Sequence, residues 1–168
     1  MPKIIENLEV KLTEEARKQI NESGYGAVTI RSIAKACGVG IGTVYNYFPS
    51  KDALLATYML SDWNTCLAVI DEMSCRSDLP APVAQCIYEQ IRGFSEKHRS
   101  IFQDEAAIAS FNSSFSRYHT LLRSQLATLL KKFCSNDFAP DFISEALLTW
   151  TIKEKSFDEI WSMIKNCF

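Results

Sequence analysis

Glycine is scarce in this chain and unevenly placed. Of six glycines in 168 residues, five fall between Gly24 and Gly42, leaving Gly93 alone for the remainder. The cluster predicts short helices joined by tight turns in the first third, and the scarcity beyond it predicts long helices. Histidine is rarer still: His98 and His119 stand 21 positions apart, and both read as surface or capping groups. The six cysteines, Cys37, Cys66, Cys75, Cys86, Cys134 and Cys167, include no C-x-x-C pair and lack a histidine at metal-ligand spacing. That excludes the usual zinc frameworks, and reduced, mostly buried thiols are expected, with no metal and no cofactor; a redox sensor is the alternative, since reactivity depends on thiolate stabilisation that sequence does not show. No G-x-S-x-G elbow, Walker loop or H-E-x-x-H helix is present, so nothing argues for an enzyme. No apolar run approaches the roughly 18 residues that would cross a bilayer. The opening MPKIIEN lacks the basic and apolar pattern of a leader. The expectation is a cytoplasmic chain with no membrane partner.

What is present is apolar substance and an asymmetry of charge. Hydrophobic residues make up 47% of the chain, enough for a real core and too much for a disordered one. The net charge is −2, but from Met1 to Lys51 there are 7 Lys+Arg against 5 Asp+Glu, and from Asp52 onward 11 against 15. A mildly basic head of +2 on an acidic body of −4 fits a head that meets phosphate.

In the head, Ile5, Leu8, Leu12, Ala16 and Ile20 recur at helical spacing from Lys3 to Ser23, and Gly24 is placed to stop that helix. Thr29 is placed to cap the next, whose inner stripe is Ile30, Ile33, Ala34 and Cys37. Two short helices crossing steeply need a small residue at the contact, a glycine four positions on in the turn, and an apolar residue six beyond that. Ala34, Gly38 and Val44 meet those requirements. The second helix, about Ile41 to Tyr47, turns Val44 and Phe48 inward and leaves Ile41, Gly42, Thr43, Tyr45, Asn46 and Tyr47 mostly outward. Hydroxyl, amide and aromatic groups of this kind bond phosphate oxygens and base edges, while Gly40 and Gly42 let the backbone come close. Pro49 ends the helix, Ser50 caps the next, and Lys51 sits in its first turn. A dinucleotide reading of the glycines fails, because the third glycine of G-x-G-x-x-G would fall at Thr43 or Tyr45 and no strand precedes the turn.

The run ESGYGAVTIRSIAKACGVGIGTVYNYFPSKDALL resembles the DNA-binding head of the TetR family of transcriptional regulators, all-helical homodimers. The resemblance covers about the first third of the chain. It implies phosphate contacts by Thr29, Thr43, Tyr47 and Lys51, and base contacts nearer Ile41, Tyr45 and Asn46. Where the family usually has serine at the start of the reading helix, this chain has Gly40, which can still cap but offers no hydroxyl.

Beyond the head, Leu54, Leu55, Tyr58, Met59, Trp63, Leu67, Ile70 and Met73 trace one long helix. SCRSDLPAP reads as a loop. Val83, Ile87, Ile91 and Phe94 stripe the next helix, a shorter one runs from about Ser100 to Phe111, and NSS marks a turn. Another long helix follows from Phe115 to Phe133, and CSNDFAP is the last break. Phe142, Ala146, Leu147 and Trp150 then lie on one short helix, and Phe157, Ile160, Trp161 and Ile164 on a final one. The expected architecture is all-α, about nine helices: a helix-turn-helix head over 1–50 and a helical body over 51–168.

By the family resemblance, the last two helices pair with a second subunit through Phe142, Ala146, Trp150, Phe157, Ile160, Trp161 and Ile164. Closing their own core is the alternative that periodicity leaves open. Trp63, Tyr88, Phe111, Tyr118 and Trp150 are candidates to line a pocket for a small apolar or aromatic effector. The function expected is that of a repressor, homodimeric on a palindromic double-stranded DNA operator and released by that effector. The competing class is a helical protein-interaction module that does not bind DNA.

Overall fold

The computed structural model describes residues 7–168, with the side chains of 111–116 left aside. Nine α-helices and two short 3-10 turns occupy the described residues, and no strand is found among them. Lys3, Ile5 and the rest of the expected start of the first helix lie outside those residues.

Helix α1 spans Leu8–Ser23 and buries Leu8, Leu12, Ala16 and Ile20, the stripe read from the sequence. Gly24 closes it at φ 77°, its N–H bonding the Ile20 carbonyl. Helices α2 (Ile30–Ala36) and α3 (Ile41–Tyr47) follow, then α4 (Lys51–Arg76), α5 (Pro80–Lys97) and the single turn α6 (Arg99–Phe102). Helix α7 spans Glu105–Leu130, α8 Ala139–Ile152 and α9 Phe157–Ile164.

Two expected breaks are not where the composition put them. Helix α4 continues through Ser74, Cys75 and Arg76, so the loop of SCRSDLPAP shrinks to Ser77–Leu79 before Pro80 opens α5. The backbone of Asn112, Ser113 and Ser114 is helical within α7, so NSS is no turn. Asn and Ser have only a weak preference against helix, too small to break a long one.

The chain divides into two compact units: residues 1–62 with 98–112, and residues 63–97 with 113–168. In the first, Leu12, Ile33, Val44 and Leu55 are wholly enclosed, with Tyr25, Val28, Phe48, Leu54 and Ile101 packed around them. His98, expected as a surface or capping group, holds the N-cap position of α6 through its carbonyl but is fully buried, its Nε2 3.1 Å from Asp62 Oδ2 and its ring 4.9 Å from that of Tyr58. Burial pushes the Tyr58 phenol well above its usual range, with the Asp62 charge adding to it.

In the second unit one core joins Trp63 and Ile70 of α4 to Val83, Ile87 and Ile91 of α5, Leu126 and Leu130 of α7, Ile143 and Leu147 of α8, and Ile160 and Ile164 of α9. The Trp63 indole N–H donates to Gln125 Oε1 at 2.9 Å, so the largest core side chain also has its polar atom satisfied.

By length and composition α4 could cross a membrane, with a mean hydropathy of 1.2 over its best window, although no such run was expected. Of its large apolar groups, Leu54, Leu55, Trp63 and Ile70 are buried within the two units, while Val69 and Met73 are exposed. The thiols also differ from expectation. All six cysteines are free, but Cys86 alone is buried, Cys75 is exposed and the others are half-buried.

Candidate nucleic-acid interface

Thr29 stands in extended backbone at φ −131°, ψ 155°, and its side chain accepts the Ser32 N–H at 3.0 Å. Ser32 Oγ accepts the Thr29 N–H at 3.1 Å in return. Two helix-start N–H groups are thus satisfied reciprocally, with serine in the place more often held by Glu or Gln. The Thr29 hydroxyl keeps its own proton to donate outward, and the residue is exposed.

At the other end of α2 the chain reverses at Gly38, whose φ of 67° is unfavourable for a side-chain-bearing residue. The turn is held by the Val39 N–H on the Ala34 carbonyl at 3.0 Å and the Gly38 N–H on the Lys35 carbonyl at 3.2 Å.

Gly40 opens α3. It is extended, at φ −71°, ψ 148°, and its carbonyl accepts from Thr43 N at 3.0 Å and Val44 N at 3.3 Å. The cap is made by backbone alone, so the missing serine hydroxyl costs no order at the helix start. Val44 is completely buried and Phe48 nearly so, fixing the rotation of this two-turn helix. Tyr45 and Tyr47 are therefore outside, at 52% and 47% exposure. Gly42 and Asn46 are exposed, and Ile41 and Thr43 half-exposed. Every residue expected on the outer face is on it. A Cβ added at Gly42 would meet nothing within 4 Å, so no contact inside the chain calls for glycine there.

Lys51 stands in the first turn of its helix, as expected, with partners the motif did not show. Its ammonium donates to the carbonyls of Tyr25 at 2.9 Å and Val28 at 3.0 Å and sits 3.6 Å from the centroid of the Tyr25 ring. Burial lowers its pKa. Sequence inspection gave no sign of these partners, nor of Asp52, which accepts from the Tyr25 hydroxyl and from Ser110 Oγ. Burial, and then the Asp52 hydrogen bond, raise the Tyr25 phenol to about 12. Ser50 does cap α4, accepting from Ala53 N at 3.0 Å. Arg31 and Lys35, one turn apart on α2 and both exposed, are cations that the motif reading passed over.

In the second unit the expected effector residues have separate surroundings. Trp63 is core, Tyr88 packs on Phe157 at 5.7 Å between ring centroids, and Tyr118 is half-buried. The side chain of Phe111 lies outside the described residues. Trp150 is 45% exposed and lines a groove of about 280 Å³ with Phe142, Ala146, Ile160, Met163 and Ile164.

The seven residues expected to pair with a second subunit divide in the same way. Phe142, Ala146 and Trp150 line that groove, while Ile160 and Ile164 are its buried floor and belong to the subunit's own core. Phe157 and Trp161 continue an aromatic row to Phe168, with centroids 5.9 and 5.6 Å apart. Met163 of α9 and Phe138 just before α8, at 76% and 73% exposure, are the most exposed large apolar groups here and were not singled out from sequence.

Comparison with known proteins finds relatives of the head in sequence and of the whole chain in fold. The family model described as bacterial regulatory proteins of the tetR family matches residues 12–58. The transcriptional regulator UidR of Escherichia coli K12 is 33% identical over 58 residues, 34% of this chain and 30% of UidR. The transcriptional repressor KstR of Rhodococcus jostii RHA1 is 33% identical over 66 residues, 34% of this chain and 31% of KstR. The chain thus spans less than a third of the length of these curated relatives.

The fold extends further than the sequence match. SCO7518 of Streptomyces coelicolor superposes with a TM-score of 0.71 at 14% identity, over 94% of this chain and 96% of that one. RolR, solved without ligand, gives 0.63 at 22% identity, over 94% and 89%. The solved structures show the fold alone, and it is the head, residues 12–58, that is matched to the tetR family of bacterial regulatory proteins.

Proposed function

We propose that this chain is a cytoplasmic, DNA-binding transcriptional regulator that represses from a palindromic operator as a homodimer. The observation that carries the reading is the outer face of α3. A helix whose rotation is fixed by Val44 and Phe48 presents Thr43, Tyr45, Asn46 and Tyr47 to solvent beside two glycines. Thr29, Thr43 and Tyr47 would donate to phosphate oxygens. Ile41, Tyr45 and Asn46 would meet base edges, with Gly40 and Gly42 allowing close approach. Residues 1–50 would carry this work, and residues 51–168 dimerisation and an effector site. The regulators UidR and KstR, the latter named a repressor, support that assignment through their similarity to the head.

The exposed groove of α8 and α9 supports a homodimer, since Phe142, Trp150 and Met163 together expose more apolar surface than an isolated helical pair gains by exposing. Two reading helices would then lie about 34–36 Å apart, one turn of B-DNA, or a small multiple of it. A small apolar or aromatic effector that binds better to a different head spacing would release the operator, to the extent of that preference.

Titration of genomic duplex fragments across a range of salt concentrations tests the reading. Binding should weaken with salt along a negative slope of log K against log salt, and Thr43→Ala and Tyr47→Ala should each weaken it further at fixed salt. A flat slope, with neither variant altered, would leave the helix-turn-helix as a protein-docking element.

A further inference from the structure

We infer that α3 reads A·T pairs in its half-site, with Asn46 on an adenine and Ile41, beside the bare Gly42, on the methyl of a thymine about two base-pair steps away. The inference rests on the DNA-binding reading above and names the class of sequence that its outer face takes.

That face offers few kinds of chemical group, and all of them are uncharged. Helix α3, IGTVYNY, carries neither acid nor base. Guanine is most often read by the donors of Arg or Lys on its O6 and N7, and the N4 amino group of cytosine by a carboxylate. Neither reader stands on α3. Arg31 and Lys35 are exposed, but they lie on α2, the helix that crosses the backbone in this motif.

What remains favours the other pair. Asn46 is exposed, and no hydrogen bond among the described residues engages its amide. Its carbonyl and amino groups match the N6 donor and N7 acceptor of adenine. Asn46 stands one turn after Gly42 on the same side of the helix, and helical side chains lean toward the N-terminus. It therefore leans over a residue with no side chain, where an added Cβ would meet nothing within 4 Å. The edge of a base can enter that space and meet the amide.

Ile41, half-exposed next to Gly42, is the one aliphatic side chain on the face, since Val44 is wholly buried. Thymine alone carries a methyl group in the major groove. Ile41 and Asn46 are separated by roughly 7.5 Å along the helix axis, which sets the thymine and the adenine about two base-pair steps apart. The hydroxyls of Tyr45 and Tyr47 can give or accept a hydrogen bond, so they add affinity without choosing between pairs.

Selection of duplexes from a random library by the full chain, followed by titration of single-pair changes in the selected half-site, tests this. Selected half-sites should share an adenine whose replacement by guanine weakens binding about ten- to a hundredfold. Asn46→Ala should bring the four pairs at that position within about threefold of one another and leave preferences elsewhere in place. Uracil in place of the thymine removes only the methyl. It should weaken binding by the unmodified chain about two- to fivefold and have no effect on binding by Ile41→Ala. Neither side chain belongs to the buried core, so both variants keep the fold.

G·C pairs at the positions these variants alter, or base preferences that neither variant alters, would overturn the inference and leave the DNA-binding reading intact. The two arms are independent, and either one failing removes its own base. A chain that selects no duplex even at low salt would overturn the DNA-binding reading, and this inference with it.

Discussion

Thr29 combines two tasks in one hydroxyl: it accepts from Ser32 N to start α2, and it faces outward where phosphate would lie. Thr29→Ala removes both. The expected loss is about 1 kcal/mol of stability, typical for a cap, read as a lowered urea midpoint at unchanged slope. Thr29→Ser keeps the acceptor and should recover most of it.

This cap was legible because its partner is three residues away, within reach of any motif reading. Gly38 was legible for the same reason, since the turn it makes is set by neighbouring residues. Lys51 was not, because the carbonyls it holds belong to Tyr25 and Val28, more than twenty positions back, and meet it only after α1, α2 and α4 have packed. The burial of His98 was missed for a related reason. Its charged neighbours Lys97 and Arg99 suggest surface, while Tyr58 and Asp62 on α4 enclose it.

At the scale of helices, α9 has the most explicit start in the second unit. Ser156 Oγ accepts from Glu159 N at 3.3 Å, and Glu159 Oε2 accepts from Ser156 N at 2.9 Å. The backbone N–H of Ser156, followed by Lys155 and the Ser156 hydroxyl, draws the Glu159 carboxyl down to about 2 from 4.5. A carboxyl whose folded value lies below its unfolded one stabilises fully above the unfolded value and loses that contribution as pH falls through the folded one. The contribution of Glu159 should thus be whole above about pH 4.5 and drain away toward pH 2. Glu159→Gln should lower the denaturation midpoint at neutral pH and converge with the unmodified protein near pH 2. A difference that stays constant across that range would show the box to be unimportant.

Helix ends of this kind were readable where a cap or proline marks them, as at Thr29, Pro80 and Pro140. The continuity of α7 through Asn112–Ser114 was not, because composition there argues for a turn while the backbone runs on as helix.

For the molecule as a whole, the question that sequence left open was which apolar side of α8 and α9 faces outward. Periodicity finds an apolar stripe, but both helices carry two: Ile143, Leu147, Ile160 and Ile164 close the core, while Phe142, Trp150 and Met163 remain exposed. A homodimer through the second set would lose its interface to Phe142→Glu or Met163→Glu at little cost to the fold, since both side chains are already in water. Light scattering at micromolar concentration should then report half the mass of the unmodified protein, and duplex affinity should fall steeply as the two half-sites separate. A chain that is monomeric before any substitution would remove the two-half-site arrangement.

The empty space beside Gly42 sets stability and function against each other. Glycine inside a helix costs about 0.5–1 kcal/mol relative to alanine, and here no neighbour within 4 Å returns it. Gly42→Ala should raise the melting temperature of the free protein while its methyl holds DNA off. Selection for heat resistance alone should fix that change repeatedly, and a library ranked by thermal survival would enrich variants that no longer bind their operator.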